Sequence, residues 1–423
     1  MDLYGEFEWR GLVYDATEGL RDLIAREKLT TYIGFDPTAA SLHVGSLLPM
    51  IALARLQRAG HPPIAVVGGG TGMIGDPSGK ATERSLLTTE QVDTNVEGIR
   101  AQLSRFLDFN DTSTPASLLN NAEWLTRLSA IEFMRDVGKH FTVNYLLAKE
   151  SVKRRSESDE GISYTEFSYL LLQSYDFLVL HDRFTCRLQM GGSDQWGNIT
   201  AGVDLIRRLR GAKAHGLVLP LITTASGAKF GKTEAGAVWL DPNLTSPFRF
   251  YQFWLNTEDG DVGRYLRYFT FLDRSTIEQL EEATRKSPES RAAQRALARE
   301  VTRIVHGDGH VTRAERASGV LFGEDIATLP AEDVLSVFDD VPSSTVTADK
   351  LAGDGVAVVD LLAASGLTAS KGEATRLIRG GGVYVNNRRI TDERARLRSA
   401  DAIDGRLFVL RKGAKQNHVV KIG

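Results

Sequence analysis

An α/β domain built on a parallel sheet, then an α-helical domain, then a small basic α+β domain is the architecture that this 423-residue sequence predicts. Three observations carry that expectation. A strand–helix–strand pattern near the N-terminus is the unit from which parallel sheets are built. After Pro247 the pattern changes to a run of helical segments. From Leu351 to Gly423 there are 13 Lys and Arg against 7 Asp and Glu, a surplus of +6; the whole chain carries −3, so the remainder carries −9. A basic module on an acidic body suits a polyanionic partner such as nucleic acid, although a solvated charged face gives the same count.

The elements follow in order. Thr30–Phe35 reads as a buried strand, Asp36–Leu42 as a turn-rich loop, and Gly45–Ala59 as a helix ended by Gly60. Ile64–Val67 is a second strand. Helices are expected over Asn95–Leu107, Trp124–Val137, Tyr164–Tyr175 and Trp196–Leu209, and strands over Leu188–Met190 and Leu217–Thr223. Four helices follow, near 250–256, 263–269, 275–284 and 290–306. The Ser- and Thr-rich stretch Pro342–Asp354 reads as a linker. Beyond it come two short helices (Val358–Ser365, Lys371–Gly380), a strand and turn at Val383–Asn386, and a strand at Arg406–Leu410. The acidic, aromatic start is unlike a secretory leader. No stretch approaches the roughly 18 apolar residues of a membrane helix. Cys186 is the only cysteine, which excludes an internal disulfide and a cysteine-based zinc site. A cytoplasmic location is the expectation.

Two short motifs carry chemistry. His43-Val44-Gly45-Ser46 stands at a helix start, where free N–H groups and the positive dipole end favour anions. Alone, this pattern also fits plain helix capping. Lys229-Phe230-Gly231-Lys232-Thr233 puts two lysines around a glycine, suited to developing phosphate charge; alone it also fits a solvated loop. One motif follows the first strand and the other a late strand, so both fall at the carboxyl edge of a parallel sheet, where ligands bind. A third feature is Tyr169, Gln173 and Asp176, spaced by four and three on one helix face among leucines. Such a stripe is either exposed or waiting for a ligand with polar groups.

Together the two motifs resemble the signature pair of class I aminoacyl-tRNA synthetases. The lead-in Tyr32-Ile33-Gly34-Phe35-Asp36-Pro37-Thr38 resembles the tyrosyl and tryptophanyl branch. Three further blocks resemble the tyrosyl family: Gly75-Asp76-Pro77-Ser78-Gly79-Lys80 with Glu83-Arg84, Tyr169 through Asp176, and Gln189 through Asn198. The resemblance spans roughly residues 30–235. It implies a Rossmann-like parallel-sheet catalytic domain over 1–240 with a dimerising insertion near 125–161. An α-helical anticodon-side domain over 241–341 and a linker over 342–354 would follow. Residues 355–423 resemble an S-four-type RNA-binding domain, carried by Ser370-Lys371-Gly372-Glu373-Ala374 and Ile378 through Asn386.

The implied activity is ligation of tyrosine to tRNA(Tyr) through a tyrosyl-adenylate, with ATP as substrate, Mg²⁺ accompanying it, no dedicated metal site and no membrane partner. The implied catalytic set is His43, Lys80, Arg84, Lys229, Lys232 and Thr233. Tyrosine would be held by Tyr32, Asp76, Tyr169, Gln173, Asp176 and Gln189, with Tyr32 and Asp176 on the phenolic hydroxyl. ATP would meet Gly34, Asp36, Thr38, His43, Gly45, Ser46, Gly192, Asp194, Gln195, Lys229, Phe230, Gly231, Lys232 and Thr233. In the basic module, Lys371, Arg376, Arg379, Arg388 and Arg389 are candidates for tRNA phosphates. Ser46 departs from the family pattern, where histidine is common, and Ile33 stands where some relatives carry a cysteine. A tryptophanyl-type enzyme, a small-molecule adenylyltransferase and a non-catalytic RNA-binding factor are the rivals. Asp176 beside Tyr32, the basic module and the intact lysines speak against each in turn.

Overall fold

The structure, a computed structural model, describes residues 2–78, 87–157, 161–224, 230–233, 236–321, 326, 329–338, 341–413 and 416–423. For Ser151, Lys232, Thr233, Val320, Leu321 and Ser336 only the main chain is described. The chain divides into two compact units. One comprises Met1–Thr245 and Asn256–Val305, the other Ser246–Leu255 and His306–Gly423.

The first unit is organised by a six-stranded sheet of β1 (Asp15–Ala16), β2 (Thr30–Phe35), β3 (Pro63–Val67), β4 (Ser117–Asn120), β5 (Cys186–Gly192) and β6 (His215–Leu219). Their order is β1-β6-β5-β2-β3-β4. Strands β2 to β6 are parallel, and β1 adds an antiparallel edge on β6. All five positions of β3 and of β6 are buried, as required of strands covered on both faces. The chain begins the parallel sheet at β2, builds outward through β3 and β4, then returns to the other side of β2 for β5 and β6. That reversal opens a crevice at the carboxyl ends of β2 and β5.

The expected strands and most expected helices are present, with shifted ends. The Thr89–Leu103 helix starts six residues before the expected Asn95, because Thr88 and Gln91 form a capping box. The Tyr164–Phe184 helix runs past Asp176, since Phe177, Leu178, Val179 and Leu180 are all buried and continue its packed side; it stops at Thr185, with φ 53°. The single helix expected over Trp124–Val137 is broken into Ala122–Leu125, Ala130–Glu132 and a π-turn, Phe133–Val137. Ser129 and Glu132 form a fresh capping box that restarts the chain there. Gly202 lets the Trp196–Arg210 helix lie close to the Tyr164–Phe184 helix: a Cβ there would sit 3.0 Å from Phe177 Cδ1.

In the second unit a five-stranded sheet runs in the order Arg388–Arg389, Val383–Val385, Leu407–Lys412, Gln416–Ile422, Ser343–Val346. The stretch 342–354 is therefore not a linker. Ser343–Val346 pairs in parallel with Gln416–Ile422, buries Val346, and is followed by a short helix, Ala348–Leu351. Ser and Thr read as loop formers also suit a half-buried edge strand. Val358, Leu362, Ala374 and Ile378, from the two expected helices, pack with Val383, Phe408 and Val420 of the sheet. Ile326, Leu329, Val334 and Phe338 pack with Ile403, Leu407, Val409 and Val419. A single helical domain over 241–341 is not what forms: 256–305 belongs to the first unit, while 246–255 and 306–341 lie in the second.

Candidate active site

A cavity of about 790 Å³ opens at the carboxyl edge of the main sheet. Tyr32, Gly34 and Phe35 from β2 line it, with Gln189 and Gly192 from β5, Tyr169, Gln173 and Asp176 from the long helix, and His43, Gly45 and Ser46 from the first signature. Asp36, Thr38, Asp76, Asp194, Gln195 and Phe230 complete the expected residues found on its wall. Alternation along β2 turns Tyr32 and Gly34 to the same face. A Cβ on Gly34 would meet nothing within 4 Å, so the main chain there is open to close approach by a ligand.

At the closed end, Tyr32 and Asp176 are buried, and the Phe177 ring lies 5.3 Å from that of Tyr32. Tyr32 Oη has no hydrogen-bond partner among the described residues, and the same is true of Gln189 Oε1. Burial, reinforced by the charge of Asp176, pushes the Tyr32 hydroxyl well above its usual range, so it stays protonated. Asp176 accepts Asn121 Nδ2 at 2.9 Å and Trp124 Nε1 at 2.6 Å. Burial pushes its carboxyl up to about 7, against the pull of those two donors. An unpaired buried hydroxyl next to a buried carboxylate is an expensive arrangement unless a polar ligand completes it.

Nearer the mouth the polar groups form a chain. Tyr169 Oη donates to Asp36 Oδ2 at 3.1 Å, and Thr71 Oγ1 donates to Asp36 Oδ1 at 3.2 Å. Asp76 accepts Gln195 Nε2 at 2.7 Å and the Ser78 amide at 2.9 Å. Asn198 Nδ2 reaches Gln173 Oε1 at 3.0 Å and Gln195 Oε1 at 3.1 Å. Tyr169 and Asp176 are each 4% exposed, which decides against an exposed polar stripe.

His43 caps the Val44–Ser46 turn: its Nδ1 accepts the Gly45 amide at 3.0 Å. In the neutral ring this places the proton on Nε2. The two signatures are stitched together by main chain. Val44 N donates to Val238 O, Val238 N to Gly231 O and Leu240 N to Leu42 O. Gly231 has φ +79°, and a Cβ there would sit 2.7 Å from Val44 Cγ2, so only glycine fits this close approach. Lys80, Arg84 and Lys229 lie outside the described residues. Lys232 and Thr233 pair with Ala237 and Gly236 through the main chain.

Asn121, Trp124, Thr71 and Asn198 carry the network but had no assigned role in the sequence. The signal for Asn121 would be its place just after the strand Ser117–Asn120, which is not among the expected strands, and an Asn there ordinarily reads as a turn. In the second unit all five RNA-contact candidates are exposed. Lys371 pairs with Asp360 at 2.8 Å, Arg379 with Glu393 at 2.6 Å, and Arg389 donates to Gly381 O at 2.8 Å. The two ion pairs are solvent-exposed and cheap to exchange for phosphate.

A crevice at a strand-order reversal, with two signature segments joined across it, defines a class I aminoacyl-tRNA synthetase. Residues 25–323 match the family model "tRNA synthetases class I (W and Y)", and residues 333–420 match the "Tyrosine--tRNA ligase SYY-like C-terminal domain". The chain is 59% identical over 417 residues to a tyrosine–tRNA ligase of Roseiflexus castenholzii, covering 99% of this chain and 98% of that one. It is 52% identical over 424 residues to the Geobacillus stearothermophilus tyrosine–tRNA ligase, covering all of both chains. Among solved structures, a C-terminally truncated mitochondrial tyrosyl-tRNA synthetase from Coccidioides posadasii superposes with TM-score 0.66 at 32% identity, covering 75% of this chain and 91% of that one. The chain belongs to the tyrosine–tRNA ligase family.

Proposed function

We propose that the chain is a tyrosine–tRNA ligase that works by positioning and electrostatics at the crevice of its main sheet. The tyrosine carboxylate attacks the α-phosphorus of ATP. The bond to the bridging oxygen breaks, and pyrophosphate leaves with the electron pair. A ribose hydroxyl of the terminal adenosine of tRNA(Tyr) then attacks the adenylate carbonyl, loses its proton and displaces AMP. A carboxylate is already a nucleophile, so neither step needs a covalent enzyme intermediate.

The observation that carries this reading is the unpaired Tyr32 Oη beside Asp176 at the buried end of the cavity. A phenolic hydroxyl inserted there would complete both groups: Asp176 accepts its proton, and Tyr32 donates to its oxygen. Tyr169, Gln173 and Asp76, with Gln189, hold the rest of the amino acid. Thr38 and His43, the latter through Nε2, meet phosphate from one side; the Val44, Gly45 and Ser46 amides are already bonded within the protein. Lys80, Arg84, Lys229 and Lys232 supply positive charge from the other and Thr233 a hydroxyl, while Gly34, Gly192 and Asp194 receive the ribose.

Mg²⁺ accompanies the nucleotide as a neutralising ion. Asp36, Asp76 and Asp194 are on the cavity wall, but among the described residues no group of three or more His, Cys, Asp or Glu is arranged to hold a metal. In this reading the ion is carried by the nucleotide's phosphate oxygens. Among the described residues no helix is long and apolar enough to cross a membrane, and a cytoplasmic location is part of this reading. So is a homodimer: Ile131, Met134 and Val143, in the segment near 125–161, are each at least half exposed and suit a self-complementary contact. Light scattering should give twice the chain mass, and Met134→Glu should reduce it to one.

ATP–pyrophosphate exchange with a panel of amino acids tests the activity. Exchange should depend on tyrosine and not on tryptophan. In Lys232→Ala, exchange should slow far more than tyrosine binding weakens; an unchanged exchange rate would remove the second signature from the chemistry.

A further inference from the structure

One helix, Asp259–Phe269, holds the chain ahead of the second signature, at Thr223, and within it, at Phe230. Arg264 Nη2 donates to the Thr223 carbonyl at 2.6 Å, and Tyr265 Oη donates to the same oxygen at 3.4 Å. Asp261, buried one turn earlier, pairs with Arg264 and aims it. Within the signature the Phe230 ring is buried against Tyr265, with centroids 5.1 Å apart, and stacks on Phe269 at 5.5 Å. The next residue, Gly231, is tied through Val238 to Val44 of the first signature. The helix therefore holds Thr223 through its carbonyl and Phe230 through its ring, and Gly231 beside it is bonded through Val238 to the first signature. Neither Arg264 nor Tyr265 lines the cavity.

We propose that Arg264 and Tyr265 are positioning residues for adenylate formation: they set the second signature against the first, and so decide whether its lysines meet the nucleotide's phosphates. The inference rests on the reading that this signature contacts phosphate. Its physical basis is the steep dependence of such catalysis on placement, where a shift of about 1 Å costs on the order of a hundredfold. A guanidinium–carbonyl bond is also among the stronger anchors for a strand exit. Phe230 alone could not do this, because a ring stack fixes a plane but not the direction of the chain that leads into it.

The test is pyrophosphate exchange with ATP and tyrosine varied separately, together with tyrosine binding by equilibrium dialysis, in Arg264→Gln, Arg264→Lys, Tyr265→Phe and Lys232→Ala. Arg264 is 39% exposed at its side chain but pairs with the buried Asp261, so thermal midpoints of the variants are measured alongside to separate a folding loss from a positioning loss. Arg264→Gln should lower kcat/KM for ATP by about tenfold, the scale of one charge-assisted hydrogen bond, with tyrosine affinity unchanged. Arg264→Lys should restore part of the loss, and Tyr265→Phe, which keeps the ring, should lose less than Arg264→Gln. Wild-type exchange in Arg264→Gln beside a crippled Lys232→Ala would overturn the positioning role while leaving the signature's role intact. Equal losses in ATP and tyrosine parameters would also overturn it, as general damage. Wild-type exchange in Lys232→Ala would overturn the phosphate role and this inference with it.

Discussion

Tyr32 Oη is a buried hydroxyl without a hydrogen-bond partner among the described residues. Removing it should have opposite effects on the free and bound states. Tyr32→Phe should hold or slightly raise the thermal midpoint, because an unsatisfied buried group is gone. It should weaken tyrosine binding by about 1 kcal/mol, the net value of one neutral hydrogen bond, and narrow the preference for tyrosine over phenylalanine. Calorimetry with and without tyrosine measures both. Asp176 gives a pH signature. Burial raises its folded pKa to about 7 from the ordinary value of 3.8. Between those values the folded chain holds a proton that the unfolded chain has released, so this group's contribution to stability declines as pH rises through that window. Binding runs the other way: the ionised form is the better acceptor for a phenol, so tyrosine affinity should fall as pH drops from 8 to 6. Asp176→Asn should flatten that dependence. Tyr32 and Asp176 were legible in the sequence through family resemblance. The donors Asn121 and Trp124 were not, because their 55- and 52-residue separations from Asp176 leave no periodic trace.

Among the elements, the Asp259–Phe269 helix is the platform of the second signature, and its own C-terminal end is held by buried arginines. Arg10 donates to the carbonyls of Arg267 at 3.0 Å and Leu272 at 2.7 Å, and Arg55, from the Leu47–Arg58 helix, reaches the Thr270 carbonyl. Burial lowers the pKa of both guanidinium groups, Arg55 to about 9. Cations on helix-terminal carbonyls satisfy groups that would otherwise be orphaned and oppose the negative dipole end. Arg10→Ala should cost about 1–3 kcal/mol, the penalty for leaving buried acceptors unmade, and appear as a lower thermal midpoint. A helix near 263–269 was expected from its spacing. Its role was not, since Arg10, 257 positions from Arg267, reads in sequence as one more charge in an acidic start. The helix breaks near Ser129 were missed for a related reason: apolar residues recur there at helical intervals, and local capping overrides the periodicity.

At the scale of the whole chain, residues 326–338 belong with the C-terminal sheet through Ile326, Val334 and Phe338. A cut at Pro342, the boundary that the Ser- and Thr-rich stretch suggests, removes the strand Ser343–Val346 and uncovers that apolar face. Such a truncation should aggregate, whereas ending the chain after residue 321 should leave a soluble enzyme. The shorter chain should retain pyrophosphate exchange and lose tRNA charging; retention of full charging would show that the basic module is not needed for tRNA. The two assays, with light scattering on both truncations, check this.

The sequence by itself determined the parallel-sheet class, the places of the two signature motifs, the polar stripe Tyr169-Gln173-Asp176 and the basic C-terminal module. These depend on local spacing, on which residues end strands and start helices, and on charge, all of which are written along the chain. Tertiary structure alone decided that Tyr32 Oη lacks a partner among the described residues, that Asn121 and Trp124 aim Asp176, that 342–354 contains a paired strand rather than forming a linker, and that one helix holds both Thr223 and Phe230. Those facts are contacts between segments far apart in sequence. They come from how the strands are ordered and the helices laid over them, which side-chain periodicity along any one element does not encode.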